Sequence, residues 1–314
     1  MAKATIGKGV KTKTTWANAL KRDWQLYLLL MIPVALVVIF NYASYGGIRM
    51  VFMDYKPAKG YAGSKWVGWA TFQKVFKDKD FIRALKSSIV FNLLDLAVGF
   101  PMPIILALIL NELRFPRFKK VTQTILYLPH FLSWVVLAMI FRDLLDGSGI
   151  INSGLMALGI IKEPIVFLGN NSWFQGLMIG TDVWEEFGYG AIIFIAALTS
   201  INTELYEAAA IDGAGRLQRI WHITLPGIAV TIVLVATLNI ANILNAGFDQ
   251  IYNLYSPIVY STGDIIDTWV YRAGLQNLQY SLATAVGLFK SVISLVLITV
   301  GYWLADKFTG YKLF

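Results

Sequence analysis

The chain has 314 residues, 57% hydrophobic and 15% charged, whereas soluble domains run at about 45–50% apolar and 25% charged, so a single water-soluble globule is a poor fit. Its 27 Lys and Arg against 19 Asp and Glu leave a net charge of +8, which in so apolar a chain points to membrane topology and not to nucleic acid. Zero cysteines exclude disulfides, thiolate nucleophiles and Cys-ligated metals, and two histidines leave little for a His-based metal centre, so no metal is expected.

Residues 1–23 read as a basic cytoplasmic tail, with Lys3, Lys8, Lys11, Lys13, Lys21 and Arg22 against Asp23; its Lys/Thr-rich first part is expected to be disordered. A bilayer core needs about 20 apolar helical residues. The charge-free interval 24–48 supplies the first span, and it is too long for a signal peptide and lacks an A-x-A-like cleavage site. Residues 49–86 should then lie outside, with an irregular loop from Gly60 to Trp69 and an interfacial helix from Phe72 to Ala84. This segment carries Arg49, Lys56, Lys59, Lys65, Lys74, Lys77, Lys79, Arg83 and Lys86, an exception to the positive-inside rule.

Residues 87–305 hold five further spans. Ser87–Asn111 contains only Asp95, and the loop with Arg114, Arg117, Lys119 and Lys120 after it is cytoplasmic by charge. Val121–Phe141 is charge-free, and Pro164–Thr203 contains Asp182, Glu185 and Glu186. Ile220–Phe248 is again charge-free, and Ala273–Ala305 contains only Lys290. Segments 142–172 and 249–280 read as external loops with short helices, and 306–314 as a cytoplasmic end. The fold class is therefore an all-α polytopic membrane protein of six transmembrane helices, both termini cytoplasmic, with Trp66, Trp69 and Trp303 in the interfacial belt.

Ions inside a span are costly and face a cavity or a partner. Asp182, Glu185, Glu186 and Tyr189 recur at i, i+3, i+4 and i+7 on one helical face, where carboxylates and a phenol can bond sugar hydroxyls and Trp184 can stack nearby. Asn239, Asn242 and Asn245 form a second row, extended by Asp249; gluing helices together would explain them as well as contact with a solute. Lys290 and Asp95 are expected to partner other intramembrane groups, Lys290 facing Glu185 or Glu186 being one such pair. His130 reads as a rim or packing residue and His222 as a loop-surface residue.

Between the fourth and fifth spans, the loop 200–226 carries Glu207-Ala208-Ala209-Ala210-Ile211-Asp212-Gly213, then nine residues, then Ile223-Thr224-Leu225-Pro226. Asn202 can cap a short Ala-rich helix, Gly213 permits the turn after it, and Pro226 suits the first turn of the next span. This resembles the EAA motif of binding-protein-dependent ABC importer permeases at every defined position. Tyr127 to Val136, Asp264 to Thr268 with Tyr271-Arg272, and Ala285 to Phe289 are similar to the LplB-type carbohydrate permeases, a group near the maltose permeases that includes importers of alginate or pectin oligosaccharides.

The resemblance implies a six-helix permease in the bacterial inner membrane, paired with a second homologous permease, two cytoplasmic ATP-binding subunits and an extracytoplasmic solute-binding protein. It implies a coupling helix at 207–218, with Glu207, Ala208, Ala209, Asp212, Gly213, Leu225 and Pro226 engaging the ATPase, and a solute site at Asp182, Glu185, Glu186, Tyr189, Asn239 and Asn242, with Asn245 beside them. ATP and Mg2+ would be bound by the partners, since no Walker A pattern occurs here. An ion-coupled secondary transporter would use the same acids but should show inverted repeats, and none is found. A lipid-linked-sugar enzyme would need a metal or nucleotide motif beside them, which is also lacking.

Overall fold

The computed structural model describes residues 16–309; the expected tail over 1–15, and Lys312, lie outside the described residues. The chain divides into two compact units between Arg49 and Met50. The first contains α1 (Trp16–Val37), a π-helical turn (Val38–Tyr42) and the start of a 3-10 segment (Ala43–Phe52). The helix begins before the expected Trp24, with one non-helical residue at Asp23 (φ −111°, ψ 20°), so Lys21 and Arg22 are helical and not part of a tail. Its side chains from Trp24 to Phe40 are exposed on every side, as suits a lipid-facing helix.

In the second unit, β1 (Met53–Asp54) and β2 (Lys65–Trp66) pair antiparallel, Met53 opposite Trp66 and Asp54 opposite Lys65, where a wholly irregular loop was expected. Phe52 stacks on Trp66 at 5.7 Å and meets Trp69 edge-on at 5.5 Å, so both indoles also pack and are not only a belt. Ser281 Oγ donates to Met53 O (2.7 Å) and accepts from Tyr55 N (3.0 Å), pinning the hairpin. The expected helix over Phe72–Ala84 is two: α2 (Ala70–Lys77) stops at Asp78, whose carboxylate accepts from Asp80 N and Phe81 N (2.8 and 3.2 Å) and caps α3 (Lys79–Val98). Next comes α4 (Pro101–Glu112), because Pro101 and Pro103 cannot donate to the preceding turn.

The expected straight span Val121–Phe141 is broken. α5 (Pro116–Tyr127) gives way to a 3-10 turn at Pro129–Phe131 before α6 (Trp134–Leu145), and the two arms bend by 99°. The loop after α6 holds α7 (Ile150–Ala157), pinned by the buried Asn152, which accepts from Ile165 N at 2.8 Å. α8 (Asn171–Leu198) and α9 (Thr203–Ile211) bend by 77°. α10 (Arg216–Arg219), a π turn (Ile220–Thr224) and α11 (Leu225–Gly227) then bend by 63° into α12 (Ala229–Ala241), so Pro226 precedes the bend and is not in the first turn of the span itself. α13 (Phe248–Leu254), α14 (Tyr260–Gly263) and α15 (Ile266–Tyr271) lead to α16 (Tyr280–Thr309), which starts later than the expected Ala273 and continues past 305.

Among the described residues, three helical stretches are long and apolar enough to cross a membrane, Leu20–Phe52, Lys79–Glu112 and Tyr280–Leu304; the three bent pairs make up to six. The segment 249–280 is a packed layer and not a loose loop. Ser88 Oγ on α3 accepts from Ile266 N at 2.8 Å, and the fully buried Asp264 accepts from Arg272 Nη1 at 2.8 Å and from Thr268 Oγ1 at 2.7 Å. Burial works against the Arg272 charge, but the Asp264 hydrogen bond and charge outweigh it and raise its pKa above the usual guanidinium value. Arg272→Met should therefore lower stability by about 3 kcal/mol, read from thermal unfolding of the purified protein, and Asp264→Leu in the same chain should restore most of the loss.

Candidate functional site

One stripe of α8 faces the interior: Phe174, Met178, Thr181, Glu185, Gly188, Ala191, Phe194 and Leu198, every third or fourth residue. Two glycines let other helices close on it. A Cβ at Gly188 would lie 1.9 Å from Leu126 O of α5, and one at Gly190 would lie 3.1 Å from Pro103 Cγ of α4. With α5 in backbone contact at Gly188, the Pro129–Phe131 turn comes level with the acidic face of α8. His130 then stacks on Tyr189, ring centres 3.8 Å apart and planes 7° apart. Its Nδ1 sits 3.2 Å from Glu186 Oε1 and 3.6 Å from Glu185 Oε1.

The four residues expected on one face are on it, but they do different things. The Glu185 side chain is only 6% exposed and lies on the packing stripe, whereas that of Glu186 is 51% exposed. Asp182, Glu186 and Asn239 line a cavity of about 380 Å3 with Asp95, Gly99 and Pro103, while Tyr189 is exposed beside His130. Asp95 and Asp182 also share a smaller cavity of about 60 Å3 with Asn245 and Gln250. Trp184 meets Phe141 edge-on at 5.7 Å and lines neither of these cavities but a separate one of about 490 Å3, with Leu137, Phe141 and Thr181.

The asparagine row is not a helical stripe. α12 ends at Ala241, Asn242 closes its end by donating to Leu238 O (3.1 Å), and Asn245 lies in the following turn, donating to Asn242 Oδ1 (3.1 Å). Asn239 thus reaches the larger cavity and Asn245 the smaller, and Asn242 lines neither. Asp249 sits in the first turn of α13, outside both cavities. Lys290 does not face Glu185 or Glu186: its Nζ pairs with Asp267 at 2.5 Å. Asp95, expected to partner another intramembrane group, makes no ion pair among the described residues and lines both cavities, beside Asp182.

Gln250 went unnoticed in the sequence, though it is buried and donates to Met178 O and Thr181 Oγ1, each at 2.8 Å. His130 was legible only as a rim or packing residue. The signal that could have placed it is Pro129, a helix breaker in the middle of a charge-free interval.

The motif loop forms a second site. Asn202 Oδ1 accepts from Glu204 N (3.0 Å) and caps α9 as expected, and Gly213 takes φ +76° where a Cβ would be strained. The segment 207–218 is therefore the end of α9, a turn and α10, not one helix. Glu207 and Ala208 are exposed, and α9 buries no residue. Ala209, Asp212 and Gly213 line a cleft of about 330 Å3 with Gln218, Arg219 and His222. Tyr206 Oη and Thr224 Oγ1 lie 3.0 Å apart and tie α9 to the π turn that precedes Leu225 and Pro226. Ile211, Leu217 and Trp221 are 87%, 72% and 67% exposed around this loop.

Residues 99–309 match the family described as binding-protein-dependent transport system inner membrane component. The chain is 43% identical over 311 residues to Protein LplB of Bacillus subtilis (strain 168), covering 99% of this chain and 96% of that one. It is 42% identical over 306 residues to the polygalacturonan/rhamnogalacturonan transport system permease protein YteP of the same organism, covering 97% and 94%. It is also similar to a chain in the crystal structure of a bacterial alginate ABC transporter in complex with an alginate pentasaccharide-bound periplasmic protein, with TM-score 0.86 and 37% identity over 95% of this chain and 99% of that one.

Because the chain has no native cysteine, the approach at Gly188 can be read directly. His130→Cys with Glu186→Cys should be joined in high yield by a short bis-methanethiosulfonate, each thiolate displacing a methanesulfinate, and adding Gly188→Val should cut that yield several-fold; an unchanged yield would show that the turn is held there by something else.

Proposed function

The chain belongs to the family of inner-membrane components of binding-protein-dependent transport systems, and we propose that it is one of two homologous permeases in an ATP-driven importer of oligosaccharides or polysaccharide fragments. It is a transport subunit and not an enzyme. In this reading a solute-binding protein delivers the saccharide from outside, and two cytoplasmic subunits bind ATP and Mg2+ and drive the cycle. The names of its relatives, a polygalacturonan/rhamnogalacturonan permease and an alginate transporter, direct attention to acidic saccharides. Both termini and the 200–226 loop face the cytoplasm, and the three bent helix pairs each count as one of six spans.

The observation that carries the reading is the convergence of Asp182, Glu186 and Asn239, from helices on either side of the motif loop, on one cavity of about 380 Å3. That volume lies in the range of about 300–1,000 Å3 typical of small-molecule sites, so it accommodates part of an oligosaccharide, and the second permease supplies the rest of the wall. Carboxylates and amides accept from and donate to sugar hydroxyls at fixed positions. Glu185 and Tyr189 support this wall from α8, and Asn242 and Asn245 shape the end of α12 next to it. The exposed α9, with Glu207, Ala208 and Ala209, seats on the ATPase. The Asp212–Gly213 turn and the Leu225–Pro226 segment pass its movement to α12.

In the reconstituted complex, Glu186→Ala with Asn239→Ala should reduce solute-stimulated ATPase at least tenfold while leaving assembly intact, and unchanged stimulation would remove the cavity assignment. Gly213→Trp should abolish uptake without altering the affinity of the solute-binding protein for its saccharide, measured by calorimetry; normal uptake would remove the coupling assignment.

A further inference from the structure

We propose that His130, Glu185 and Glu186 form a binding site for a first-row divalent metal ion of the zinc type, with an open coordination position facing the solute cavity. The inference deepens the transport reading and rests on it only for the ligand that fills the open position. One nitrogen and two carboxylate oxygens lie within 4.8 Å of one another, brought together from the Pro129–Phe131 turn and from α8. Metal bonds of about 2.0–2.2 Å place donors roughly 3–4 Å apart, which the 3.2 Å and 3.6 Å separations from His130 Nδ1 already match.

Two further observations point to a cation. His130 Nδ1 is buried and makes no hydrogen bond, although a carboxylate oxygen stands beside it. The Glu185 side chain is 94% buried, aimed at the same point, and among the described residues no Lys or Arg pairs with it. A carboxylate taken out of water pairs, coordinates a metal or takes up a proton, and a histidine nitrogen beside it favours the metal over the proton. Here its neighbours are a second carboxylate and an imidazole, so a dication removes the repulsion and uses all three donors. Imidazole among the ligands favours zinc-type ions over Mg2+ or Ca2+, which prefer all-oxygen shells. Stacking on Tyr189 fixes the direction of the imidazole, the part that surrounding groups play for metal-bound histidines.

The chemistry of the cavity gives such an ion a use. Asp95, Asp182 and Glu186 would repel a uronate, the sugar acid found in pectin and alginate fragments. Three protein donors leave a zinc-type ion one open position. Because Glu186 lines the cavity, that position faces it and can accept a uronate carboxylate oxygen. The low histidine count argued against a metal centre, but one histidine suffices where adjacent glutamates supply the remaining donors.

The test uses the nucleotide-free, chelator-stripped complex, co-purified with its partner subunits, and Zn2+ alone in equilibrium dialysis. The wild type should bind one Zn2+ more than either His130→Ala or Glu186→Gln, and His222→Ala should bind as the wild type does. Glu186 is half exposed, so Glu186→Gln remains informative should His130→Ala fail to assemble. Equal Zn2+ stoichiometry in the wild type and in assembled variants would overturn the site. A zinc-selective chelator that leaves Mg2+ in place should raise the half-saturating concentration of oligogalacturonate for ATPase stimulation at least tenfold and leave that of a neutral oligosaccharide unchanged; equal effects on both would overturn the open position. Zn2+ binding that the variants remove, with no oligosaccharide stimulating ATPase, would uphold the site and refute the transport reading instead.

Discussion

At Gly188 two helices meet with no side chain between them, and the positions of the polar groups at the centre follow from that approach. A Cβ there would sit 1.9 Å from a backbone oxygen of α5, so only glycine allows the crossing. The crossing fixes the height at which α5 ends, and Pro129 then turns the chain so that His130 lands against Tyr189 and between two glutamates. Gly190 does the same for α4, whose Pro103 shares the cavity wall with Asp182 and Glu186. α8 is thus the post against which the cavity is built, and its small residues matter as much as its charged ones.

Charged groups in this chain fall into two kinds. Asp264 with Arg272, and Lys290 with Asp267, are paired through direct hydrogen bonds and hold the layer between α12 and α16 against its neighbours. Asp95, Asp182, Glu185 and Glu186 have no basic side chain other than His130 beside them among the described residues, and all but Glu185 line a cavity. A charge at the centre of a bilayer costs about 2.5–3.5 kcal/mol on insertion scales, and the three acids that surround one opening, Asp95, Asp182 and Glu186, are the ones the proposed transport reading uses.

Much of this was legible in the sequence. Intervals without charge located the apolar helices, Asn202 and Gly213 bounded the motif helix as their chemistry requires, and the i, i+3, i+4, i+7 spacing put the acidic residues on one face. What the sequence hid were breaks and tertiary approaches. Prolines at 101, 103 and 129 divided intervals that hydropathy reads as continuous, and Asp78 began a helix where the apolar pattern ran on. The asparagine row failed because a period of three presumes a helix, and α12 stops before the second asparagine is reached. The pairing of His130 with Glu185 and Glu186 depends on a glycine contact between segments some sixty residues apart, which no local pattern encodes.

The most direct measurement of the central claim is a cryo-electron-microscopy structure of the assembled importer trapped with an oligosaccharide between the two permeases. The account predicts saccharide density within hydrogen-bond distance of Asp182, Glu186 and Asn239, against the face of α8 that carries His130 and Tyr189. Density enclosed by other helices, with these side chains turned into protein contacts or lipid, would contradict it.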